Sequence, residues 1–183
     1  KYKLKIREKN NMNDLKTIAN LMKEATESVL HKKLKEIKKI NDFTCRVGNG
    51  SATNVTSSKK ASGYKFVLTY GIKMLESKQT KKKALGWTTG KEIVARKYFK
   101  NPSFKNFIVA TILHEYAHVI QVQDGGREYN KVHNEYFYKI LDGFYKNEYH
   151  LELDNYLSKY KEYEEAEYTD TRKSFTKLDL LGV

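Results

Sequence analysis

Two histidines and a glutamate lie within five consecutive residues, His114-Glu115-Tyr116-Ala117-His118. In an α-helix, residues i and i+4 lie on the same face, so the imidazoles of His114 and His118 can bind one metal ion. Imidazole nitrogen is a common ligand of Zn²⁺, at about 2.0–2.1 Å. Glu115 lies one step round the helix, where a carboxylate can take a proton from an activated water without being a ligand itself. The spacing therefore predicts a hydrolytic zinc centre with Glu115 as the catalytic base.

A catalytic zinc site has three protein ligands and one open position. His133 is the preferred third ligand, because it follows His118 by 15 residues and stands at the start of a predicted helix. The glycine-containing turn at residues 124–126 allows the chain to fold back onto the motif. Four other side chains could supply the third ligand instead: Glu135, Glu128, His150 and His31. A glutamate in this place would make the site a two-histidine, one-glutamate type.

The motif lies in a segment that predicts a long buried helix. Asn101 and Pro102 form a start signal, since asparagine is a common N-cap and proline suits the first helical position. Apolar residues precede His114, and the helix is predicted to run to about Gln123, where glycines stop it. Two histidines and a glutamate would be costly to bury in such a helix without a function. The alternative interpretation is a pair of core histidines that form hydrogen bonds with neighbouring residues.

The N-terminal half shows weaker patterns. Residues 1–10 alternate weakly between apolar and polar types and predict a short strand or a tail. The spacing in residues 13–40 predicts one long amphipathic helix, with Asn13 as its N-cap. Residues 43–47 and 63–70 are rich in β-branched and aromatic types and predict two strands that form an antiparallel pair.

The remaining segments complete this prediction. Residues 57–62 are expected to connect the two strands, and residues 78–100 are expected to form an exposed loop in which Trp87 packs into the core. A further helix is predicted over residues 132–146. The Tyr-rich, acidic chain from Glu148 onward is expected to be partly helical.

Together these elements predict the α+β fold class, with helices around a small antiparallel sheet and the motif helix in the centre. Three segments follow from them. Residues 1–41 form a basic strand or tail and a long amphipathic helix, and residues 42–147 form the zinc-binding core. Residues 148–183 form an acidic extension packed on the same domain.

The charge of the chain is strongly uneven. The net charge is +13; residues 1–110 carry 26 basic and 8 acidic side chains, a net +18, whereas residues 111–183 carry a net −5. A basic surface attracts a polyanion such as DNA or a membrane surface. The alternative is an ordinary lysine-rich solvated surface. The basic half contains four lysine clusters: Lys32–Lys33, Lys38–Lys39, Lys59–Lys60 and Lys81–Lys82–Lys83.

The single cysteine, Cys45, excludes an intramolecular disulfide and a paired-cysteine zinc site. No apolar stretch is long enough to predict a transmembrane helix, so no membrane partner is expected. These features favour an intracellular protein of the cytoplasm or nucleoid, and they are compatible with a virus-encoded one.

Residues 43–145 resemble the SprT-like family, which includes the Spartan proteases. In that family the paired-histidine helix is followed by a third histidine that has an aromatic residue four positions on, as in His133-Asn134-Glu135-Tyr136-Phe137. Asn134 and Glu135 replace the usual glycine and proline. Residues 44–50 and 64–69 are similar to the family's strand–turn–strand segment, while residues 75–100 look like an insertion and no cysteine-rich module follows.

The resemblance implies a zincin-like zinc metallopeptidase domain that acts near DNA, since members of the family degrade proteins crosslinked to DNA. The first hypothesis is therefore a zinc endopeptidase with DNA-associated substrates, in which His114, His118 and His133 hold Zn²⁺. Tyr129 or Tyr136 is a candidate donor to the oxyanion. An extended peptide is expected to bind to an edge strand beside the cleft. Three carboxylates are candidates to orient the ligand imidazoles: Asp124, Glu128 and Glu135.

Two other hypotheses remain open. One is a zinc peptidase with a glutamate as third ligand and a specific protein substrate, of a toxin-like or viral kind. The other is a basic nucleic-acid-binding module whose metal is structural. A structural zinc is usually closed by four protein ligands, so the number of ligands distinguishes this reading from the enzymatic ones.

Overall fold

The computed structural model describes the backbone of residues 2–170 and the side chains from residue 14 onward. The end of the predicted acidic extension, residues 171–183, lies outside the described residues. Lys1 and the side chain of the predicted helix cap Asn13 also lie outside them.

The N-terminal part of the described chain is helical, in three consecutive elements: α1 (Tyr2–Ala25), a π-helical turn (Thr26–His31) and α2 (Lys32–Lys38). Helical structure is confirmed over most of the predicted residues 13–40, but Asn13 is not the N-cap, because α1 begins at Tyr2 and Asn13 lies inside it. The strand or tail predicted for residues 1–10 is wrong, because the backbone is helical from Tyr2. Lysine, arginine and leucine favour helices, and three alternating apolar residues are too few to oppose them. The helical segment ends at Lys39, which has a left-handed φ of 52°.

Three strands follow: β1 (Asp42–Gly48), β2 (Asn54–Lys60) and β3 (Gly63–Gly71). β3 lies in the centre, with β1 parallel to it and β2 antiparallel to it. The predicted antiparallel pairing of residues 43–47 with 63–70 is therefore wrong, and the sheet is mixed. Residues 57–62, expected only as a connection, mostly belong to β2, which takes the hairpin position beside β3. Because β2 is polar apart from Val55, no apolar alternation indicated it in the sequence.

Helix α3 (Ile72–Ser77) follows β3 directly, and the segment predicted as an exposed loop, residues 78–100, contains two further short helices: α4 (Lys81–Leu85) and α5 (Thr88–Ala95). The loop prediction is wrong, although Lys81–Lys83 are exposed as expected. On α5, the positions Thr89, Glu92 and Ile93 are buried, and their spacing marks one face of a helix. Trp87 is half-buried against the core, with its ring 6.2 Å from that of Phe107.

Helix α6 (Phe104–Gln123) carries the motif His114–His118, and every residue from Phe107 to Val122 is buried. A helix that is buried on all sides must be central. Its N-cap is Ser103 rather than Asn101: the Ser103 hydroxyl accepts from the Asn106 amide, and the Asn106 side chain accepts from the Ser103 amide. This reciprocal box satisfies two free N–H groups, which explains why the helix starts later than predicted.

The C-terminal end of α6 agrees with the sequence prediction. Gly125 has a φ of 72°, a conformation that favours glycine. Its N–H donates to the Val122 carbonyl at 3.1 Å, and the N–H of Gly126 donates to the Gln121 carbonyl at 2.8 Å. These two bonds form a Schellman motif, which reverses the chain toward α6.

Three more helices complete the described chain: α7 (Glu135–Lys146), α8 (Tyr149–Leu157) and α9 (Lys161–Glu164). α7 was predicted from residue 132, but its N-cap is Asn134, whose side chain accepts from the Phe137 amide. His133 therefore precedes the helix instead of lying in its first turn. The expectation that the chain after Glu148 is partly helical is confirmed.

One hydrophobic core links the N-terminal helices, the sheet, α6 and the C-terminal helices. The described chain thus has the predicted α+β class, with helices around a small sheet, while the zincin-like assignment stays a prediction. Within the described residues, no helix combines the length and the apolar character needed to cross a membrane.

The close contact between α4 and α5 yields a stability prediction at Gly90. A Cβ at this position would lie 2.1 Å from the Ala84 carbonyl oxygen and 2.5 Å from the Leu85 Cα. Because both are backbone atoms, Gly90→Ala should lower the free energy of unfolding by about 1–3 kcal/mol. Urea denaturation would measure this. Gly143→Ala on α7 is the matched control: a Cβ there meets no atom within 4 Å, so it should stabilise by about 0.5–1 kcal/mol. Equal effects would contradict the packing of α4 on α5.

Candidate metal centre

Three imidazoles meet at one point beside α6. His114 and His118 lie one turn apart on this helix, and His133 reaches them from the loop before α7. The His133 Nε2 atom is 3.2 Å from Nε2 of His118 and 3.3 Å from Nε2 of His114. The prediction that these three histidines lie together is confirmed, and their ligand atoms all lie within 4.8 Å of one another.

The spacing of these nitrogens fits a tetrahedral metal ion. Zinc bonds of about 2.0–2.1 Å at tetrahedral angles separate ligand nitrogens by about 3.3–3.4 Å. The opposite ring nitrogens are engaged: His114 Nδ1 lies 2.7 Å from Glu92 Oε2, and His118 Nδ1 lies 3.2 Å from Gln121 Oε1. When each Nδ1–H donates to its oxygen, a neutral ring turns its Nε2 lone pair to the shared point. Lone pairs that face one another repel unless a cation lies between them, so the donor set fits Zn²⁺.

Glu92 is the most important residue of the site that the sequence prediction did not include. It lies on α5, only 6% of its surface is exposed, and it contacts His114 from a segment expected to be a loop. Burial lowers the pKa of His114, but the hydrogen bond to Glu92 and the charges of Glu115 and Glu92 raise it, and the net shift is upward. A carboxylate in this place fixes the imidazole tautomer and makes the ring a stronger ligand.

Gln121 and Asn134 hold the third histidine in place. The Gln121 amide donates to the Val132 carbonyl at 2.8 Å and to the Asn134 side-chain oxygen at 2.9 Å. Gln121 on α6, one turn beyond His118, thus holds the residue before His133 by its backbone and the residue after it by its side chain. Because the same Gln121 side chain accepts from the His118 ring, one residue orients one ligand and anchors the segment of another.

The aromatic residue after the third histidine packs against the whole cluster. The Phe137 ring is fully buried and lies 5.1 Å from the ring of His114, 4.9 Å from that of His133 and 4.4 Å from that of His118, on which it stacks. This contact excludes water from one side of the imidazoles and leaves them little rotational freedom. The aromatic position in the motif thus has a packing role.

Glu115 lies within the core next to the cluster, with 4% of its surface exposed. Burial raises its pKa to about 7, against the charge of His114, which lowers the pKa, while the charge of Glu92 raises it further. A carboxylate with a pKa near neutrality can both accept and release a proton near pH 7. The next residue, Tyr116, points elsewhere, with its hydroxyl 3.1 Å from Nδ1 of His31.

The other candidate ligands belong to different contacts. Within the described residues, the one group of side chains placed for metal binding contains the three histidines and no glutamate. Glu128 accepts from Asn134 at 2.9 Å, and Glu135 is exposed at the start of α7. His31 stacks on Phe43, and His150 packs against the rings of Phe99 and Tyr145.

The carboxylates predicted to orient the ligand rings contact other residues instead. Asp124 pairs with Lys38 at 2.7 Å and accepts from the Tyr136 hydroxyl at 2.8 Å, so neither Asp124 nor Glu128 orients a ligand ring. Glu92 and Gln121 do so instead. The Tyr136 hydroxyl is already engaged, and Tyr129 is 93% exposed, so the oxyanion donor stays a prediction.

Two signals in the sequence point to the residues that were missed. Gln121 follows His118 by three positions on the same helix, which places both on one face. Glu92 lies on the buried face of α5 with Thr89 and Ile93, and a carboxylate on the buried face of a helix needs a partner. The pairing of Glu92 with His114 is tertiary, since 22 residues separate them.

The contact between Glu92 and His114 predicts a change in metal affinity. Glu92→Gln removes the negative charge, so the affinity for zinc should fall by about 10- to 100-fold. Competition with a chromophoric chelator measures this constant. Glu135→Gln is the matched control, since it removes an exposed carboxylate close to His133 in sequence and should leave zinc affinity unchanged. If Glu135→Gln abolished binding and Glu92→Gln did not, the ligand set described here would be wrong.

No protein-family model, no curated protein and no solved structure matches this chain. The likeness to SprT-like proteases therefore rests on the motif residues, and membership of that family stays an expectation. Function is assigned through the site and its chemistry, because a fold alone does not determine an activity.

Proposed function

We propose that this protein is a zinc-dependent endopeptidase of the SprT-like type. His114, His118 and His133 hold the zinc ion, and Glu115 is the catalytic base. The observation that carries the proposal is the convergence of three Nε2 atoms, at 3.2 and 3.3 Å, beside a carboxylate that is almost fully buried. A cluster of this kind is costly to bury without a metal ion to bind.

The number of ligands favours an enzymatic site over a structural one. The candidate group in the described part of the chain has three members, whereas structural zinc usually has four protein ligands. His114 and His118 are buried but His133 is exposed, so a substrate can approach from the His133 side. The absence of a glutamate from the group likewise disfavours the two-histidine, one-glutamate alternative.

The side chains of the site have separate chemical roles in this proposal. When bound, zinc supplies a Lewis acid that lowers the pKa of a water molecule and polarises the scissile carbonyl. The Glu115 carboxylate takes the proton of the attacking water and passes it to the leaving nitrogen. Glu92 and Gln121 keep His114 and His118 in the tautomer that has a free Nε2.

The sheet offers a place for an extended peptide. β2 is an edge strand that lies next to α6, and all of its residues except Val55 are exposed. A free edge can accept another strand through main-chain hydrogen bonds, which bind many sequences with little discrimination. We infer that the substrate pairs with β2 and thereby presents its scissile bond to the metal centre.

The charge of the protein favours substrates that are associated with DNA. Three of the lysine clusters predicted from the sequence are exposed: Lys32–Lys33, Lys59–Lys60 and Lys81–Lys83. Contacts between lysine and phosphate are insensitive to sequence and weaken with salt. Proteins bound or crosslinked to DNA are therefore the proposed substrates, and this role would place the enzyme in the cytoplasm or nucleoid.

The proposed roles of Glu115 and His133 make separable predictions. Glu115→Gln should retain about one zinc per chain but lose about 10²–10⁴-fold in kcat, because the base is missing. His133→Ala should lose zinc and activity together. The measurements are elemental analysis and cleavage of a DNA-binding protein, with and without single-stranded DNA, at low and high salt.

His31→Gln is the matched control, since His31 contacts Tyr116 and Phe43 and not the metal cluster. It should keep both zinc and activity. A Glu115→Gln protein with full activity would rule out the peptidase mechanism. Wild-type cleavage that is independent of DNA at every salt concentration would rule out the DNA-associated role alone.

A further inference from the structure

A tight turn projects from the segment that joins the two halves of the metal centre. The Lys131 amide donates to the Glu128 carbonyl at 3.3 Å, and these two residues pair as an isolated β-bridge. Tyr129 is therefore at the tip, and Asn130 has a left-handed φ of 60° that closes the turn. Arg127 immediately precedes this turn and is exposed.

The backbone before Arg127 is fixed to the ligand cluster. The backbone N–H of Gly126 donates to the Gln121 carbonyl at 2.8 Å. The Gly126 carbonyl accepts from the side-chain NH₂ of Asn134 at 2.9 Å. Gln121 also contacts the ring of His118, and Asn134 follows His133 directly. Because these bonds hold Gly126 between the two ligand segments, Arg127 starts from a defined position at the rim of the metal centre.

The guanidinium of Arg127 is available for a ligand. Among the described residues it has no ion-pair or hydrogen-bond partner, although a carboxylate stands next to it in the chain. That carboxylate, Glu128, accepts from Asn134 at 2.9 Å and lies 3.9 Å from the Lys131 ammonium. Arg127 follows Gly126, whose backbone is hydrogen-bonded to Gln121 on the His118 side and to Asn134 on the His133 side.

We propose that Arg127 is a specificity-determining residue that binds a carboxylate of the peptide substrate close to the scissile bond. This inference rests on the proposed peptidase function. The planar guanidinium presents paired N–H donors that match the two oxygens of a carboxylate. Arg127 and His133 are both exposed, and the Asn134 side chain links the backbone next to Arg127 to the residue after His133.

A peptide fits this position better than a nucleic acid does. A polyanionic strand held by Arg127 would cover the exposed side of the metal centre and hinder the entry of a peptide. The carboxylate itself can come from an acidic side chain of the substrate or from its C-terminus. The two sources share the same chemistry with Arg127, and the experiment separates them.

The test uses quenched fluorescent peptides of one parent sequence and the zinc-loaded full chain. One set places Glu, Gln or Lys at each of the two positions on either side of the cleaved bond, and a second set ends in a free carboxylate or an amide. Wild type should prefer one Glu peptide over its Gln counterpart by about tenfold in kcat/KM. Arg127→Ala should abolish this preference, and Arg127→Glu should transfer it to the Lys peptide.

Lys131→Ala is the matched control, since it removes the same charge from the same turn and should change the preference by less than about twofold. If the C-terminal carboxylate carries the effect, only the second peptide set will respond to Arg127→Ala. Equal cleavage of Glu, Gln, free-carboxylate and amide peptides by wild type would overturn the role of Arg127 while leaving the peptidase function intact.

A binding measurement tests Arg127 without relying on turnover. Fluorescence anisotropy of the same peptides on Glu115→Gln protein should show about tenfold tighter binding of the preferred carboxylate peptide, and Arg127→Ala should remove it. If no peptide is cleaved by wild type, the proposed function fails, but this measurement still decides whether Arg127 binds a carboxylate. If Arg127→Ala instead weakens only the binding of a single-stranded oligonucleotide, Arg127 serves nucleic acid and the inference is wrong.

Discussion

Three imidazole Nε2 atoms face one another at 3.2–3.3 Å beside a helix that is buried on every side. This arrangement constrains the rest of the molecule, because three imidazoles can offer their Nε2 atoms to one metal ion only if the rings are held in place and their outer ring nitrogens have partners. α6 must be central to bury its apolar surface, and the chain must reverse at Gly125 to return His133. The Schellman bonds and the amide network of Gln121 and Asn134 provide that return.

The elements around α6 supply the side chains that hold the motif's histidine rings in place. α5 brings Glu92 to His114, and α7 brings Phe137 to the open faces of the rings. Two buried carboxylates, Glu92 and Glu115, therefore lie near one metal position. Glu92 is hydrogen-bonded to the His114 ring. Burial raises the pKa of Glu115 to about 7. Two groups of the same chemical type are therefore placed in different surroundings.

The surface of the protein separates into regions of different character. The sheet exposes a polar edge strand next to α6, the lysine clusters lie on several helices and on β2, and a positively charged turn borders the metal centre. Of these, the turn is joined by hydrogen bonds to Asn134, the residue after His133, whereas the lysines are dispersed. In the proposed function, Arg127 recognises the substrate near the scissile bond, and the dispersed lysines attract a polyanion at a distance.

The sequence by itself determined the residues that depend on local spacing. The i, i+4 histidines, the intervening glutamate and the glycine stop after Gln123 follow from helix geometry, and His133 was the one further histidine close after the motif. The long N-terminal helix and the α+β class also follow from periodicity. Only the tertiary structure decided the parallel pairing of β1 with β3, because the polar strand β2 has no apolar pattern to reveal it. It also decided that Glu92 orients His114, since a contact across 22 residues depends on how α5 packs against α6.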